Sequence, residues 1–384
     1  MPSRSSLSLR QQVGQLMIMG FDGAELSVGL RTMLATFQPG GVILFKRNIA
    51  DAAQTHHLLR QIEKAGSTPL FRCVDMEGGT VDRFRDVIAP IPSAYDVART
   101  GSVKLFRKQG ELIGRQLRAL GFNTDFAPCV DLRLPESVAV MGQRTVSSDP
   151  RETVRCAREF LAGLIRGQIL GCGKHFPGLG GANLDSHHAL PSVVRTWKQV
   201  WDQDLLPYCN LRRDFLFVMV AHVSYPRITR DKSPASLSKK WITAVLREKI
   251  GYKGLVISDD LDMGGVVMSV PIEEAAVQTL KAGSDMFLVC QKEESVWRAF
   301  EAVLQHAERF KPFAALIAAK AKRVSAFKAR SAPVRAKFAP VPNQSMVEAL
   351  RVRVWEFSEA VRLSTPANDT ATTAIAEPIG ELAR

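Results

Sequence analysis

The stretch Gly254-Leu255-Val256-Ile257-Ser258-Asp259-Asp260 is a short apolar, β-branched run that closes on two carboxylates. A run of this length opened by glycine reads as a buried strand, and its polar end marks where the strand leaves the core. Seven further runs of the same kind lie along the chain: Leu16 to Gly20, Gly41 to Phe45, Leu70 to Asp75, Asn123 to Val130, Ile169 to His175, Leu216 to His222 and Met286 to Cys290. Between them fall segments with helical spacing, such as Ala50 to Ala65, Val103 to Leu120, Pro150 to Arg166, Lys239 to Lys249 and Ile272 to Ala282, several followed by glycine. Eight such alternations predict a (β/α)8 TIM barrel rather than an open sheet. No G-x-G-x-x-G turn follows the first strand, which counts against a dinucleotide-binding fold.

The length of 384 residues accommodates one such barrel as a single catalytic domain, read as residues 1–330, with a short C-terminal extension over 331–384. That extension reads as a Pro-bearing linker from Ser331 to Pro342, a helix from Ser345 to Leu363 and a disordered tail from Ser364 to Arg384. With 46% hydrophobic and 23% charged residues the composition is that of a globular protein. No stretch approaches the roughly 18 apolar residues a membrane span needs. Met1 to Arg10 is not followed by an apolar block with a cleavage site, so the expected location is the cytoplasm. The six cysteines, at 73, 129, 156, 172, 209 and 290, never form a C-x-x-C pair and read as reduced core residues without structural zinc. The net charge of +13 is spread along helices with no nucleic-acid-binding signature beside it. The charge alone could attract anions, but this spread and the missing signature predict no nucleic-acid partner, and an acidic substrate is compatible without being required.

In a (β/α)8 barrel the polar groups at the C-terminal ends of strands converge on one mouth. Here those ends carry Asp75-Met76-Glu77-Gly78-Gly79, Asp131, Lys174-His175-Phe176-Pro177-Gly178, His222 and Ser258-Asp259-Asp260. Cleaving an acetal through an oxocarbenium-like transition state calls for an acid on one side of a sugar and a carboxylate on the other. Asp259, directly off an apolar strand, is the nucleophile candidate, whereas strand alternation turns Asp260 the other way. A cap for the following helix is the competing reading of Ser258-Asp259-Asp260. In the Gly- and Pro-rich loop after the fifth strand, Asp185 and His187 stand two apart, close enough to hydrogen-bond. An ionised Asp185 would orient the imidazole, which can protonate a glycosidic oxygen and later deprotonate water. A merely solvated loop histidine is the alternative.

The segment Lys174 to His187 resembles the K-H-F-P-G-x-G-x4-D-S-H signature of glycoside hydrolase family 3, in its bacterial β-N-acetylglucosaminidase branch. Asp75-x-Glu77-Gly78-Gly79, Gly142-x-Arg144, Ser148-Asp149-Pro150, Ala221-His222-Val223, Pro234 to Ser238 and Val256 to Met263 extend the resemblance over about residues 10 to 310. The resemblance implies a retaining mechanism with Asp259 as nucleophile and His187, paired with Asp185, as acid and base. It further implies that Asp75, Arg83, Arg144, Lys174 and His175 bind the sugar, with His222 nearby, and that no cofactor or metal takes part. The implied partner is a small carbohydrate, a terminal β-linked N-acetylglucosamine on an oligosaccharide or cell-wall muropeptide. Leu179 stands where many members have histidine, His188 directly follows the dyad histidine, and the second α/β domain of larger members is missing.

Three rivals share these residues. A metal-dependent barrel hydrolase would use His175, His187, His188 and His222 as ligands, but no H-x-H closes the first strand and no H-E-x-x-H helix appears. A silent sugar-binding barrel would need neither a nucleophile nor a proton shuttle. A β-glucosidase, or a phosphorylase in which an anion replaces water in the second step, keeps the same fold.

Overall fold

The eight expected strands are present in the computed structural model, which describes residues 7–182, 184–186 and 189–366. They are β1 (Met17–Met19), β2 (Gly41–Ile43), β3 (Phe71–Val74), β4 (Thr124–Asp125), β5 (Cys172–Phe176), β6 (Phe217–Val220), β7 (Leu255–Asp260) and β8 (Met286–Val289). All pairings are parallel and run β4-β3-β2-β1-β8-β7-β6-β5, so β1 and β8 join the first and last units. Isolated parallel bridges at Thr124↔Leu170 and Cys129↔Lys174 bring β4 against β5 and close the barrel. The helices lie outside, several with the bounds expected from their apolar spacing, including Val103–Leu120, Pro150–Arg166 and Ile272–Ala282.

The run Asn123 to Val130, expected as one strand, is shortened to Thr124–Asp125. Pro128 has no N–H to give the ladder, and beyond it the backbone pairs with β5 at the isolated Cys129 bridge. The bottom of the barrel is filled by aromatic rings from strand starts. Phe71 meets Phe217 edge-on at 5.1 Å, and Phe327 packs on Phe217 at 5.7 Å. Phe327 belongs to the helix Lys311–Arg330, so the Ala- and Lys-rich segment after residue 310 seals the barrel's lower end.

The extension is bound to this body. Within its linker, Phe338 packs under the guanidinium of Arg72, 4.5 Å from the ring centroid, and the Ala339 carbonyl accepts from His56 Nε2 at 2.8 Å. The final helix, Gln344–Ser364, buries Leu350, Val354, Phe357 and Val361, and its Arg351 donates to the Ile88 carbonyl at 2.9 Å. The expectation of a disordered tail falls, from residue 367 on, outside the described residues. Among the described residues no helix is long and apolar enough to cross a membrane.

Candidate active site

The strand ends surround a cavity of about 300 Å3 lined by Asp75, Arg83, Arg144, Lys174, His175, Asp185 and Asp259, which come from five different parts of the chain. Asp75 and Glu77 stand two apart just past β3 and both face this space. Between them sits Lys174 of β5, whose Nζ is 2.6 Å from an oxygen of each. Arg144 closes on Glu77 as a two-pronged pair, Nε to Oε2 at 2.9 Å and Nη2 to Oε1 at 2.8 Å. Burial opposes ionisation of Glu77, but Arg144 and Lys174 outweigh it and hold the carboxyl well below the usual glutamate range. Burial likewise opposes the charge on Lys174, and Asp75 and Glu77 reverse that, raising its pKa above the ordinary lysine value. The Lys174 side chain is only 2% exposed while that of Asp75 keeps 18%, so Asp75 presents its carboxylate to the cavity and Lys174 fixes it from behind.

His175 is positioned from two sides. Its Nδ1 lies 2.7 Å from Asp131 Oδ2 and its Nε2 lies 3.3 Å from Arg144 Nη2. A guanidinium can only donate, so this partner set assigns the ring proton to Nδ1 and makes Nε2 the acceptor. Asp131 also accepts from the backbone N–H of His175 at 3.2 Å and of Leu179 at 2.7 Å, which ties the loop after β5 to the barrel. Burial would raise the Asp131 carboxyl, but the His175 contact and these donors hold it below its ordinary range. Leu179 lines the cavity together with Val140, Met141, Ala182 and Leu184, giving the mouth one apolar wall.

Asp259, one residue before the end of β7, borders the cavity, and its Oδ1 accepts from the Asp260 N–H at 2.8 Å. Asp260 borders the same cavity, but its carboxylate is tied back toward β8, accepting from the N–H groups of Asp262 and Cys290 at 3.1 and 3.0 Å. Burial and the neighbouring Asp262 push the Asp260 carboxyl up to about 7. His222, expected near the sugar, lies behind the end of β7. It is fully buried and does not line the cavity. Its Nε2 is 2.8 Å from the Asp260 carbonyl and its Nδ1 is 2.7 Å from Ser236 Oγ, so it braces the end of β7 from beneath.

The loop carrying Asp185 is anchored beside that strand end, where the Ser186 carbonyl accepts from Gly265 N–H at 2.9 Å. Asp185 therefore enters the same cavity as Asp259. His187 and His188 lie outside the described residues. Two residues read only as strand-end groups, Glu77 and Asp131, emerge as the anchors of the cationic and imidazole side chains. The spacing of Asp75 and Glu77 was the available signal for the first, since positions two apart share a face.

Paired carboxylates and cations gathered at the strand ends of a (β/α)8 barrel stand where barrels of this class hold their active sites. The glycosyl hydrolase family 3 N-terminal domain matches residues 8–327, and the chain belongs to that family and is a glycoside hydrolase. It is 36% identical over 300 residues to a beta-hexosaminidase of Idiomarina loihiensis, covering 77% of this chain and 89% of the relative. To the beta-hexosaminidase of Chromobacterium violaceum it is 38% identical over 279 residues, 71% of this chain and 77% of the other. Among solved structures it is similar to a family 3 beta-N-acetylglucosaminidase from Paenibacillus sp. FPU-7, with TM-score 0.85 and 30% identity over 92% of this chain and 69% of that one. The beta-N-acetylhexosaminidase of Beutenbergia cavernae superposes with TM-score 0.76 and 26% identity, over 84% of this chain and 99% of the other.

Proposed function

We propose that the protein is a retaining β-N-acetylhexosaminidase that releases terminal β-linked N-acetylglucosamine, with cytoplasmic cell-wall fragments as its substrates. The observation that carries this reading is the shared cavity of Asp259 and Asp185, at whose floor Asp75, Arg144, Lys174 and His175 form one hydrogen-bonded set. In the first step Asp259 attacks the anomeric carbon while His187, oriented by Asp185, protonates the leaving oxygen. In the second step His187 takes a proton from water, which displaces Asp259 and restores the free carboxylate. Asp75 and Arg83 grip sugar hydroxyls from one side, Arg144 and His175 from another, and His222 holds the β7 end in place. The names of the relatives and the polar floor support the sugar. Leu184, next to Asp185 in the chain, and the cavity residues Val140 and Met141 give the leaving group an apolar surface to pass.

The test is release from an aryl β-N-acetylglucosaminide against an aryl β-glucoside, with the parent chain, Asp259→Ala and His187→Ala. The parent is expected to favour the acetamido sugar, and Asp259→Ala to lose about 10³-fold or more. Full activity of Asp259→Ala would overturn the mechanism, and equal rates on the two sugars would overturn the substrate.

A further inference from the structure

Cys129, Asp131 and His175 each present one ligand atom, a sulfur, a carboxylate oxygen and an imidazole nitrogen, all within 4.8 Å of one another. We propose that this trio is an inhibitory binding site for zinc and other thiophilic divalent ions, set into the wall of the sugar cavity. Its inhibitory effect rests on the glycosidase reading above; its existence does not.

The donor set is the one zinc prefers, since borderline-soft Zn2+ takes thiolate, imidazole and carboxylate together. Cys129 Sγ is 3.3 Å and His175 Nδ1 is 2.7 Å from the same oxygen of Asp131. Metal–sulfur and metal–nitrogen bonds of about 2.3 and 2.0 Å require ligand separations of about 3 to 4 Å, so small outward shifts of the two side chains suffice. The frame is rigid, because Cys129 is bridged to Lys174, the residue before His175, in the parallel ladder. His175 lines the cavity and gives an ion its way in.

Charge is balanced as well. Asp131 and a Cys129 thiolate together cancel the two charges of the ion. The opposing group is Arg144, which is already committed to Glu77 by two hydrogen bonds. Burial keeps the Cys129 thiol protonated in the free protein, so the ion displaces that proton into solvent as the metal–sulfur bond forms. At His175 the Nδ1 lone pair goes to the metal and the ring proton moves to Nε2. That N–H then faces the Arg144 N–H, 3.3 Å away, donor against donor. The two side chains must separate, and both are expected sugar contacts; occupancy therefore closes the subsite.

The experiment titrates the full chain with ZnCl2 in the aryl β-N-acetylglucosaminide assay and, separately, with CoCl2 while following thiolate-to-cobalt absorption in the near ultraviolet. Cys129→Ser retains a hydroxyl donor for Asp131 and removes the sulfur; Cys209→Ser controls for the half-buried thiol. Zinc is expected to inhibit the parent chain reversibly, with chelator restoring activity. Cys129→Ser, read against its own zinc-free rate, should need about 10- to 100-fold more zinc for the same loss. The cobalt–thiolate band should appear in the parent and Cys209→Ser and vanish in Cys129→Ser. Inhibition of Cys129→Ser at the parent's zinc concentration, or a parent without the band, overturns the site. A chain that shows the band yet cleaves no glycoside would instead sink the functional reading alone.

Discussion

Asp131 and His175, at the ends of adjoining barrel segments, share a buried hydrogen bond of 2.7 Å that decides which imidazole nitrogen faces the cavity. Asp131→Asn places an amide N–H where only an acceptor fits, opposite either His175 Nδ1–H or Leu179 N–H. A loss of about 3 kcal/mol in unfolding free energy is expected, together with a fall in kcat/KM of about 10²-fold as His175 leaves its place. The folded-state pKa of Asp131 lies below its ordinary 3.8, so its stabilisation is complete above that value and is lost as pH falls through the folded pKa. The stability gap between parent and variant should thus narrow below pH about 4. Denaturant melts across pH measure it, and a constant gap would refute the role given to the ionised Asp131 carboxylate.

Asp259 and Asp260 are neighbours with opposite tasks. Asp259→Asn should retain the parent's stability and lose hydrolysis, whereas Asp260→Asn should fold and keep most of it. The reason is that an asparagine oxygen can still accept from Cys290 and Asp262. The Asp260 carboxyl, pushed up to about 7 from 3.8, holds its proton longer in the folded state. Parent stability accordingly falls as pH rises from about 4 to about 7, by at most about 1.4 kcal/mol per unit, and the variant lacks this slope. Parallel melts and rate measurements at pH 5 and 7 test both halves; an inactive Asp260→Asn of normal stability would contradict them.

Much of this was legible in the sequence because a barrel imposes strong local signals. The run ending at Asp259 and its seven counterparts alternate with helices whose apolar spacing sets their bounds. What sequence could not reveal was pairing across strands. Glu77 looks like any loop carboxylate until Arg144, far along the chain, and Lys174 are folded onto it. His222 resembled a mouth residue because it follows a strand, yet two hydrogen bonds fix it beneath Asp260. The shortening of β4 was readable from Pro128, but its consequence, a bridge that sets Cys129 beside Asp131 and His175, was not.

Gly265 holds the Asp185 loop at close range. A Cβ there would meet the Ser186 carbonyl oxygen at 3.0 Å and His222 Cβ at 3.2 Å. His222 is wedged by its hydrogen bonds, so the loop is the partner that must give. Gly265→Ala should lower kcat by about tenfold or more through misplaced Asp185, with KM little changed and stability within about 1 kcal/mol of the parent. Steady-state kinetics beside a thermal melt check this; a rise in KM alone would place the effect on sugar binding instead.

Lys328, on the helix that seals the barrel's lower end, donates to Gln15 Oε1 at 2.9 Å and lies 5.0 Å from the Phe71 ring centroid. Burial pushes its pKa down from 10.5 to about 7, and Glu63 offsets little of this. The unfolded chain keeps the proton up to about 10.5, so between these values it binds more protons than the folded one. Stability therefore rises with pH across that window, by up to about 1.4 kcal/mol per unit. Lys328→Met removes the titration and leaves only Gln15 short of a donor, at about 1 kcal/mol. The variant should be the more stable protein below pH 7, with its advantage shrinking steadily toward pH 10. Unfolding free energies at pH 6, 8 and 9.5 decide the matter, and a pH-independent difference would mean that Lys328 stays charged in the folded barrel.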